Sequence, residues 1–305
     1  FNLFFHLLNI SKKPDVVICS SLSILSIING LILKLLYNTK VVFEVRDIWP
    51  LSLTAEGNFS KFNPFVIFLS IIEKIGYKYS DMIVGTMPGL KLHVDRIIKN
   101  KKFFISPLGI DFNPFELSQG KKNDIFTVGY FGSTSTTNAL TQFIETISLA
   151  EKNRIEMNFL IVGSGDNLLK YKKILEHNNN VIFLEKVQHA EVFELMNSCE
   201  LLFLSTHKSE IWDYGQSMNK VVDYMATGIP IVAIYSGLES MINEANCGEF
   251  IKHCSTKELL NVFIKYKNLS QNERKLIGIN GKKWIHENRQ YFNLSNEYLQ
   301  ELKKL

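Results

Sequence analysis

Short apolar runs rich in β-branched residues alternate along the chain with segments whose apolar positions recur at helical spacing. This alternation predicts an α/β fold built on parallel strands. The first series predicts strands at 15–20, 40–45, 81–85 and 103–106, with helices at 22–37, 64–79 and 88–98. The second series predicts strands near 126–131, 158–162, 181–184, 200–204, 230–234 and 249–251, and helices near 138–152, 167–177, 189–197, 218–227, 238–245 and 256–267. A helical tail is predicted from about 272 to 305.

Pro, Gly and polar residues cluster between the two series, which predicts a domain boundary near 112–122. We therefore expect a first domain at 1–116, a complete doubly wound second domain at 117–283, and a tail at 284–305. The first series has only about four strands and the chain has no initiator Met. We expect the first domain to be incomplete at its N-terminus.

The formal net charge of +4 arises entirely in the first third, where residues 1–116 hold 13 Lys and Arg against 9 Asp and Glu. A mild excess lacks the dense basic stripe of a nucleic-acid protein, so no nucleic-acid partner is expected. It fits an anionic membrane surface or an anionic substrate better. Four cysteines without metal-ligand spacing indicate a reducing, cytoplasmic compartment.

Two apolar segments, Leu22–Leu36 and Phe62–Ile72, are interrupted by polar residues or proline and should not span a bilayer. With Lys34, Lys61 and Lys74 beside them, they combine apolar surface with attraction for anionic lipid. This predicts peripheral contact with the inner face of the cytoplasmic membrane. The alternative is that both helices simply pack on the sheet.

The most informative stretch is the predicted helix at 218–227. Ser217 has the hydroxyl of an N-cap residue, and Gly228 suits the C-terminal end. Lys220 and Asp223 stand three residues apart and should project together from the first turns. A helix N-terminus attracts anions, and a lysine there adds a full charge. The alternative is an ordinary surface helix with a Lys–Asp pair.

Other candidates follow predicted strands directly. Gly132, Gly163 and Gly165 allow a positive φ and close approach of the backbone to a ligand, although plain turn chemistry is the alternative. Arg46 and Asp47 end a strand of the first domain. A guanidinium suits phosphate and a carboxylate suits an acceptor hydroxyl, whereas a structural Arg–Asp pair is the competing interpretation.

Several stretches together resemble retaining GT-B glycosyltransferases of family 4, in the type found in bacterial O-antigen and capsule synthesis. In that family two acidic residues eight positions apart precede an Ala-x-Gly-x-Pro run. Asp223 falls on the second acid, and Ala226-Thr-Gly-Ile-Pro-Ile-Val matches the run. Similar matches cover most of the chain: Arg46-Asp-Ile-Trp-Pro, Pro107-Leu-Gly-Ile-Asp and Leu160-Ile-Val-Gly-Ser-Gly.

The resemblance implies two Rossmann-like doubly wound domains facing a cleft, with the 284–305 helix crossing back to the first domain. The first domain would bind a lipid-linked glycan or polysaccharide acceptor, and the second a nucleotide sugar, with UDP-linked amino or deoxy sugars expected. It also implies retention through a same-face substitution, with no cofactor and no metal, in keeping with the absence of Asp-x-Asp. The implied catalytic residues are Arg46, Asp47 and Lys220. The implied donor-binding residues are Gly132, Ser133, Gly163, Gly165, Val187, Gly215, Ser217, Asn219, Lys220 and Asp223.

Two departures from the family pattern matter. Gly215 stands where the first acid is expected, and the loop Gly132-Ser-Thr-Ser-Thr-Thr-Asn lacks the usual cation for a diphosphate. Lys220 is then the leading phosphate cation, with Lys186 and Lys208 behind it. Two other readings stay open: a GT-B nucleotide-sugar epimerase, and a fragment that binds a nucleotide sugar without catalysis.

Overall fold

The computed structural model describes residues 12–117 and 123–305, so part of the predicted boundary at 112–122 lies outside the described residues. The α/β prediction is confirmed, with two parallel sheets. Contacts divide the chain into two compact units. Of the described residues, unit 1 comprises those up to Leu108 together with Ser209–Ser217 and Tyr291–Leu305, and unit 2 comprises those of Gly109–Lys208 and Met218–Gln290.

Unit 1 contains a four-stranded parallel sheet in the order β1-β2-β3-β4. Consecutive buried residues Val41, Val42 and Phe43 of the second strand form the apolar run expected of a strand covered on both faces. The strands are β1 (Val16–Ser20), β2 (Lys40–Val45), β3 (Met82–Gly85) and β4 (Phe103–Ile105). The helices are α1 (Ser26–Tyr37), α2 (Leu51–Ala55), α3 (Pro64–Tyr79) and α4 (Leu90–Ile97). Short 3₁₀ turns lie at Ser21–Ser23 and Glu210–Tyr214.

Unit 2 contains a six-stranded parallel sheet in the order β10-β9-β8-β5-β6-β7. Its order reverses between β8 and β5, which is the position where ligands bind in doubly wound sheets. The strands are β5 (Thr127–Phe131), β6 (Asn158–Val162), β7 (Val181–Leu184), β8 (Leu201–Ser205), β9 (Ile231–Ile234) and β10 (Gly248–Ile251). The helices are α5 (Thr141–Lys152), α6 (Leu168–Ile174), α7 (His189–Asn197), α8 (Asn219–Thr227), α9 (Met241–Ala245), α10 (Thr256–Asn268) and α11 (Gln271–Asn288). Short 3₁₀ turns lie at Pro114–Glu116 and Thr136–Asn138.

The tail consists of two helices rather than one. Helix α11 continues to Asn288, past the predicted boundary at 284, and the backbone N–H of Ile110 donates to the carbonyl of Arg289. The last helix, α12 (Tyr291–Lys303), brings Tyr298 and Leu302 against the sheet of unit 1. The chain therefore changes unit after residue 290, and residues 284–290 group with unit 2.

The start of α8 corrects one sequence prediction. Ser217 is not its N-cap: the cap position is Met218, in an extended conformation and without a side-chain hydrogen bond to the helix. The reason is tertiary, since Ser217 ends a segment that packs with unit 1. The predicted end is right, because Gly228 caps α8 with a left-handed φ of 75°. Within the described residues, no helix is both long and apolar enough to cross a bilayer.

Candidate functional site

A pocket of about 520 Å³ opens in unit 2 at the carboxyl ends of β5 and β6. The turns after β5, β6 and β7 form its floor, and α7 and α8 complete it. Its lining includes six of the predicted donor-binding residues: Gly132, Ser133, Gly163, Val187, Lys220 and Asp223. Lys186, a second predicted phosphate cation, also lines it.

Glycine backbones shape the floor of this pocket. Gly132 and Gly163 adopt φ values of 146° and 147°, which L side chains rarely adopt. The N–H of Gly132 donates to the carbonyl of Val162 at 2.9 Å. A Cβ added to Gly163 would collide with the carbonyl of Gly132, so the two turns approach each other too closely for any side chain there.

Lys220 reaches back from α8 to the turn after β5. Its ammonium donates to the Tyr130 hydroxyl at 3.1 Å and to Asn138 Oδ1 at 3.0 Å. It also lies 4.6 Å from the centre of the Tyr130 ring. Burial lowers the pKa of Lys220 to about 8, because desolvation disfavours the charged form. A cation is thus supplied to a turn that carries none of its own.

Tyr224 fixes the position of α8. Its hydroxyl accepts from the N–H of Phe131 at 2.8 Å and donates towards the carbonyls of Phe131 and Phe203. Burial raises the pKa of Tyr224 well above its usual value. The helix that carries Lys220 and Asp223 is therefore tied to the carboxyl end of β5 by a buried polar contact.

Other predicted residues do not line this pocket. Gly165 has a φ of 157° and packs against Thr134 and Ser135, where an added Cβ would lie 2.6 Å from the Ser135 nitrogen. Asn219 is exposed in the first turn of α8. Gly215 and Ser217 belong to unit 1. Lys208, the third candidate cation, is exposed in unit 2 and is absent from the lining.

Arg46 and Asp47 follow β2 in unit 1, as the sequence predicts. Arg46 is exposed and Asp47 is half-buried. The Ser21 hydroxyl accepts from both backbone N–H groups, at 2.9 and 3.1 Å, and donates to the Asp47 carbonyl. Within the described residues, Arg46 and Asp47 do not form an ion pair with each other. The backbone, not an Arg–Asp pair, thus holds this loop.

A second pocket of about 400 Å³ lies at the opposite, amino ends of the unit 2 strands. Arg274, which lines this pocket, caps α10 by donating to carbonyls that include those of Tyr266 and Leu269. Ligands of doubly wound sheets bind at the carboxyl ends of strands. The pocket that contains Lys220 is therefore the candidate site. Across residues 12–117 and 123–305, no group of three or more His, Cys, Asp or Glu side chains could hold a metal ion.

Comparison with solved structures reveals a shared architecture. HepE from Anabaena, in a complex with UDP, aligns with a TM-score of 0.76 and 15% identity over 100% of this chain and 82% of its own. Sucrose-phosphate synthase from Thermosynechococcus elongatus aligns with a TM-score of 0.72 and 14% identity, over 98% of this chain and 76% of its own. TarM aligns with a TM-score of 0.71 and 14% identity over 98% of this chain. This chain spans only 57% of the TarM chain. The fold is GT-B.

Part of the chain also matches a known protein family by sequence. Residues 123–266 match the family described as "Glycosyl transferases group 1". No curated protein sequence matches significantly. The matched range contains the turns after β5, β6 and β7 and all of α8, which form the pocket. Together with the GT-B fold, this match supports a glycosyltransferase that uses a nucleotide sugar.

Sequence reasoning missed three residues of the site: Tyr130, Asn138 and Tyr224. Tyr130 lies inside a buried strand, where a tyrosine suggests only packing. The Tyr130 hydroxyl was the available signal, because a buried Tyr O–H usually needs a partner. Asn138 and Tyr224 gave no comparable local signal.

Proposed function

We propose that this chain is a retaining glycosyltransferase of family 4, of the bacterial O-antigen and capsule type. It would transfer an amino or deoxy sugar from UDP to a lipid-linked or polysaccharide acceptor. The observation that carries the proposal is the pocket at the carboxyl ends of β5 and β6, into which α8 brings Lys220 and Asp223. The family match over residues 123–266 supports the same conclusion.

In this proposal Lys220 binds the diphosphate of the donor and Asp223 accepts from ribose hydroxyls. Lys220 would then stabilise the leaving group as negative charge develops on it, which is the main catalytic contribution expected of such a site. Ser133 and Ser164 also line the pocket, and their hydroxyls would be further donors for phosphate oxygens. The nucleotide sugar is a substrate, and the proposed reaction includes no cofactor and no metal.

The preference for UDP has two supports. The related HepE structures hold UDP, UDP-glucose, and UDP with glucose. After β7 the pocket is lined by Lys186 and Val187, and neither side chain can accept from the amino group of guanine. Gly215 stands where the family has an acid for sugar hydroxyls, which favours a deoxy or N-acetylated sugar. GDP-linked sugars are the main competitors.

The acceptor would bind to unit 1, near Arg46 and Asp47. Both residues follow a parallel strand at its carboxyl end, where an arginine can bind phosphate and a carboxylate can accept from a hydroxyl. The Ser21 hydroxyl holds their backbone, so the loop is ordered independently of any ligand. A lipid-linked acceptor would also suit the apolar and basic surface of α3, through which we propose peripheral membrane contact.

Transfer assays would test the proposal. The chain would be incubated with UDP-linked and GDP-linked sugars, with and without a lipid-linked glycan, and the products analysed by mass spectrometry and NMR. We expect transfer from a UDP-sugar with the anomeric configuration of the sugar retained. Because the proposed reaction needs no metal, transfer should also occur in the presence of EDTA. A modified sugar still attached to UDP, formed without acceptor, would indicate an epimerase instead. Binding of UDP-sugar without any product would indicate a non-catalytic binding fragment.

Calorimetric titration of UDP would test the residue roles. Lys220→Ala should weaken binding by about 1.5–3 kcal/mol, the range for hydrogen bonds to charged groups. Asp223→Asn should weaken it less, because one acceptor oxygen remains. Lys152→Ala is a suitable control, since Lys152 is an exposed lysine at the end of α5 and does not line the pocket. An unchanged affinity in Lys220→Ala would refute the diphosphate assignment.

A further inference from the structure

The ammonium of Lys220 is held between two neutral acceptors from one stretch of chain. Tyr130 is in β5 and Asn138 ends the 3₁₀ turn that follows it. A Cβ added to Gly132 would lie 2.7 Å from Lys220 Nζ, so the lysine side chain occupies the space beside this glycine. We refer to Tyr130 and Asn138 as the lysine cage.

Each member of the lysine cage is itself oriented by another group. The Tyr130 hydroxyl donates to the carbonyl of Ser133, so its oxygen is left to accept from Lys220. The Asn138 amide nitrogen donates to Ser135 Oγ at 3.3 Å, which leaves Oδ1 for Lys220. Ser205, at the end of β8, donates to the Asn138 carbonyl at 2.7 Å and thereby fixes the turn.

The two acceptors satisfy only part of what an ammonium can donate. Lys220 carries three N–H donors, and the cage takes two of them. Neither acceptor is charged, so the buried cation keeps an uncompensated positive charge beside the pocket that it lines. A carboxylate in the cage would neutralise Lys220, whereas neutral oxygens hold it in place and leave its charge available.

We propose that Tyr130 and Asn138 are positioning residues that hold Lys220 beneath the turn after β5, with one N–H available for a phosphate oxygen of the nucleotide. The inference rests on the proposed function and deepens it. The turn after β5 has no cation of its own, and the cage supplies it with one from α8. Nucleotide binding is then coupled to the protonation of Lys220.

The coupling has a definite sign. Burial lowers the pKa of Lys220 to about 8 in the ligand-free protein, and a bound phosphate would favour the charged form. Binding above about pH 8 should therefore take up a proton. The charged groups that share the pocket are Asp223, on the next turn of α8, and Lys186, after β7. The pKa of Tyr130 is raised by burial, so the Tyr130 hydroxyl keeps its proton through this range.

The test is calorimetric titration of UDP into the full chain at pH 7 and pH 9, each in two buffers of different ionisation enthalpy. For the unsubstituted protein we expect little proton uptake at pH 7 and most of one proton at pH 9. Affinity should fall about tenfold between these values, as expected for one linked group with a pKa near 8.

Three variants separate positioning from general stability. Asn138→Asp places a carboxylate on Lys220, so proton uptake at pH 9 should disappear and affinity should fall at both pH values. Tyr130→Phe keeps the ring but removes the hydroxyl acceptor, so affinity should begin to fall at a lower pH. Tyr266→Phe removes a buried tyrosine hydroxyl elsewhere in unit 2 and should leave the pH profile unchanged.

The outcomes distinguish this inference from the proposed function. If UDP binds and Lys220→Ala weakens it, but the pH profiles of Asn138→Asp and Tyr130→Phe match that of the unsubstituted protein, the cage is overturned and the nucleotide site stands. If the folded, unsubstituted protein does not bind UDP at either pH, both proposals fail. Loss of proton uptake in Asn138→Asp, with unaltered uptake in Tyr266→Phe, supports the cage.

Discussion

The buried ammonium of Lys220 opposes folding at neutral pH, because an unfolded lysine keeps its proton up to its ordinary pKa of 10.5. Between pH 8 and that value the unfolded chain binds more protons than the folded one, so this contribution to stability rises with pH. Relative to Lys220→Met, the unsubstituted protein should gain roughly 2–3 kcal/mol from pH 7 to pH 10. Thermal unfolding of both proteins at both pH values measures the difference. A constant difference would show that Lys220 is not desolvated.

Gly163 is a second residue whose identity the structure explains. Gly163→Ala would force a side chain to a φ of 147° and against the Gly132 carbonyl. We expect a loss of stability of about 2–3 kcal/mol, from backbone strain and the displaced turn together. Thermal unfolding would measure it, with Ser164→Ala at the adjacent exposed position as the control. Equal midpoints for the two variants would contradict this explanation.

At the scale of elements, α8 is placed by α11 as well as by β5. Gly278 of α11 faces the carbonyl of Gly228, the residue that caps α8, and an added Cβ would overlap that carbonyl. Gly278→Ala should therefore push the two helices apart, with a loss of about 2–3 kcal/mol and weaker UDP binding. Unfolding and UDP titration measure the two effects. Leu276→Ala is the control, because Leu276 lies in the same helix and is 67% exposed. It should change neither the stability nor the UDP affinity.

A Gly278→Ala variant that keeps both stability and UDP affinity would show that α8 does not depend on this close approach. Loss of stability with unchanged UDP affinity would show instead that α8 recovers its position when the nucleotide binds. The two measurements therefore test the packing of α11 and the placement of α8 separately.

The elements that sequence could predict are those with strong local signals. All ten strands follow from apolar runs, and the end of α8 follows from Gly228. The start of α8 could not be predicted, because Ser217 has the chemistry of a cap but ends a segment that packs elsewhere. In that segment Tyr214 accepts from Arg96 at 2.6 Å and packs edge-on against His93. Such contacts outweigh a local capping preference.

The candidate site shows the same limit. Residues that directly follow strands, such as Gly132 and Gly163, could be predicted to meet, because the carboxyl ends of parallel strands lie at one edge of a sheet. Tyr130 and Asn138 could not be assigned to Lys220 in this way. They are separated from it by 90 and 82 residues, and only the folded sheet brings them within hydrogen-bonding distance.

At the scale of the whole molecule, the apolar surface is concentrated on unit 1. One face of α3 packs into the core through Leu69 and Ile72. The opposite face exposes Ile67, Phe68 and Ile71, and Phe62 and Phe65 are exposed at the start of the helix. Lys61, Lys74 and Lys78 flank this face and are exposed. Helix packing on the sheet thus uses only half of α3, and its other half combines apolar and basic groups as a membrane-binding surface does.

The matching prediction is that the full chain binds anionic vesicles through α3. Flotation with phosphatidylglycerol vesicles should recover the protein at low salt and less of it at high salt, because attraction between exposed charges is screened. Phe65→Ser with Phe68→Ser should abolish binding, since apolar burial is lost while the charge is kept. Lys74→Glu with Lys78→Glu should abolish binding to anionic vesicles, because the attraction for lipid charge is lost. The same change should not alter binding to uncharged vesicles. Phe292→Ser, at an exposed aromatic residue outside α3, is the control. Absence of binding at low salt, or equal loss in the control, would rule out α3 as the membrane surface.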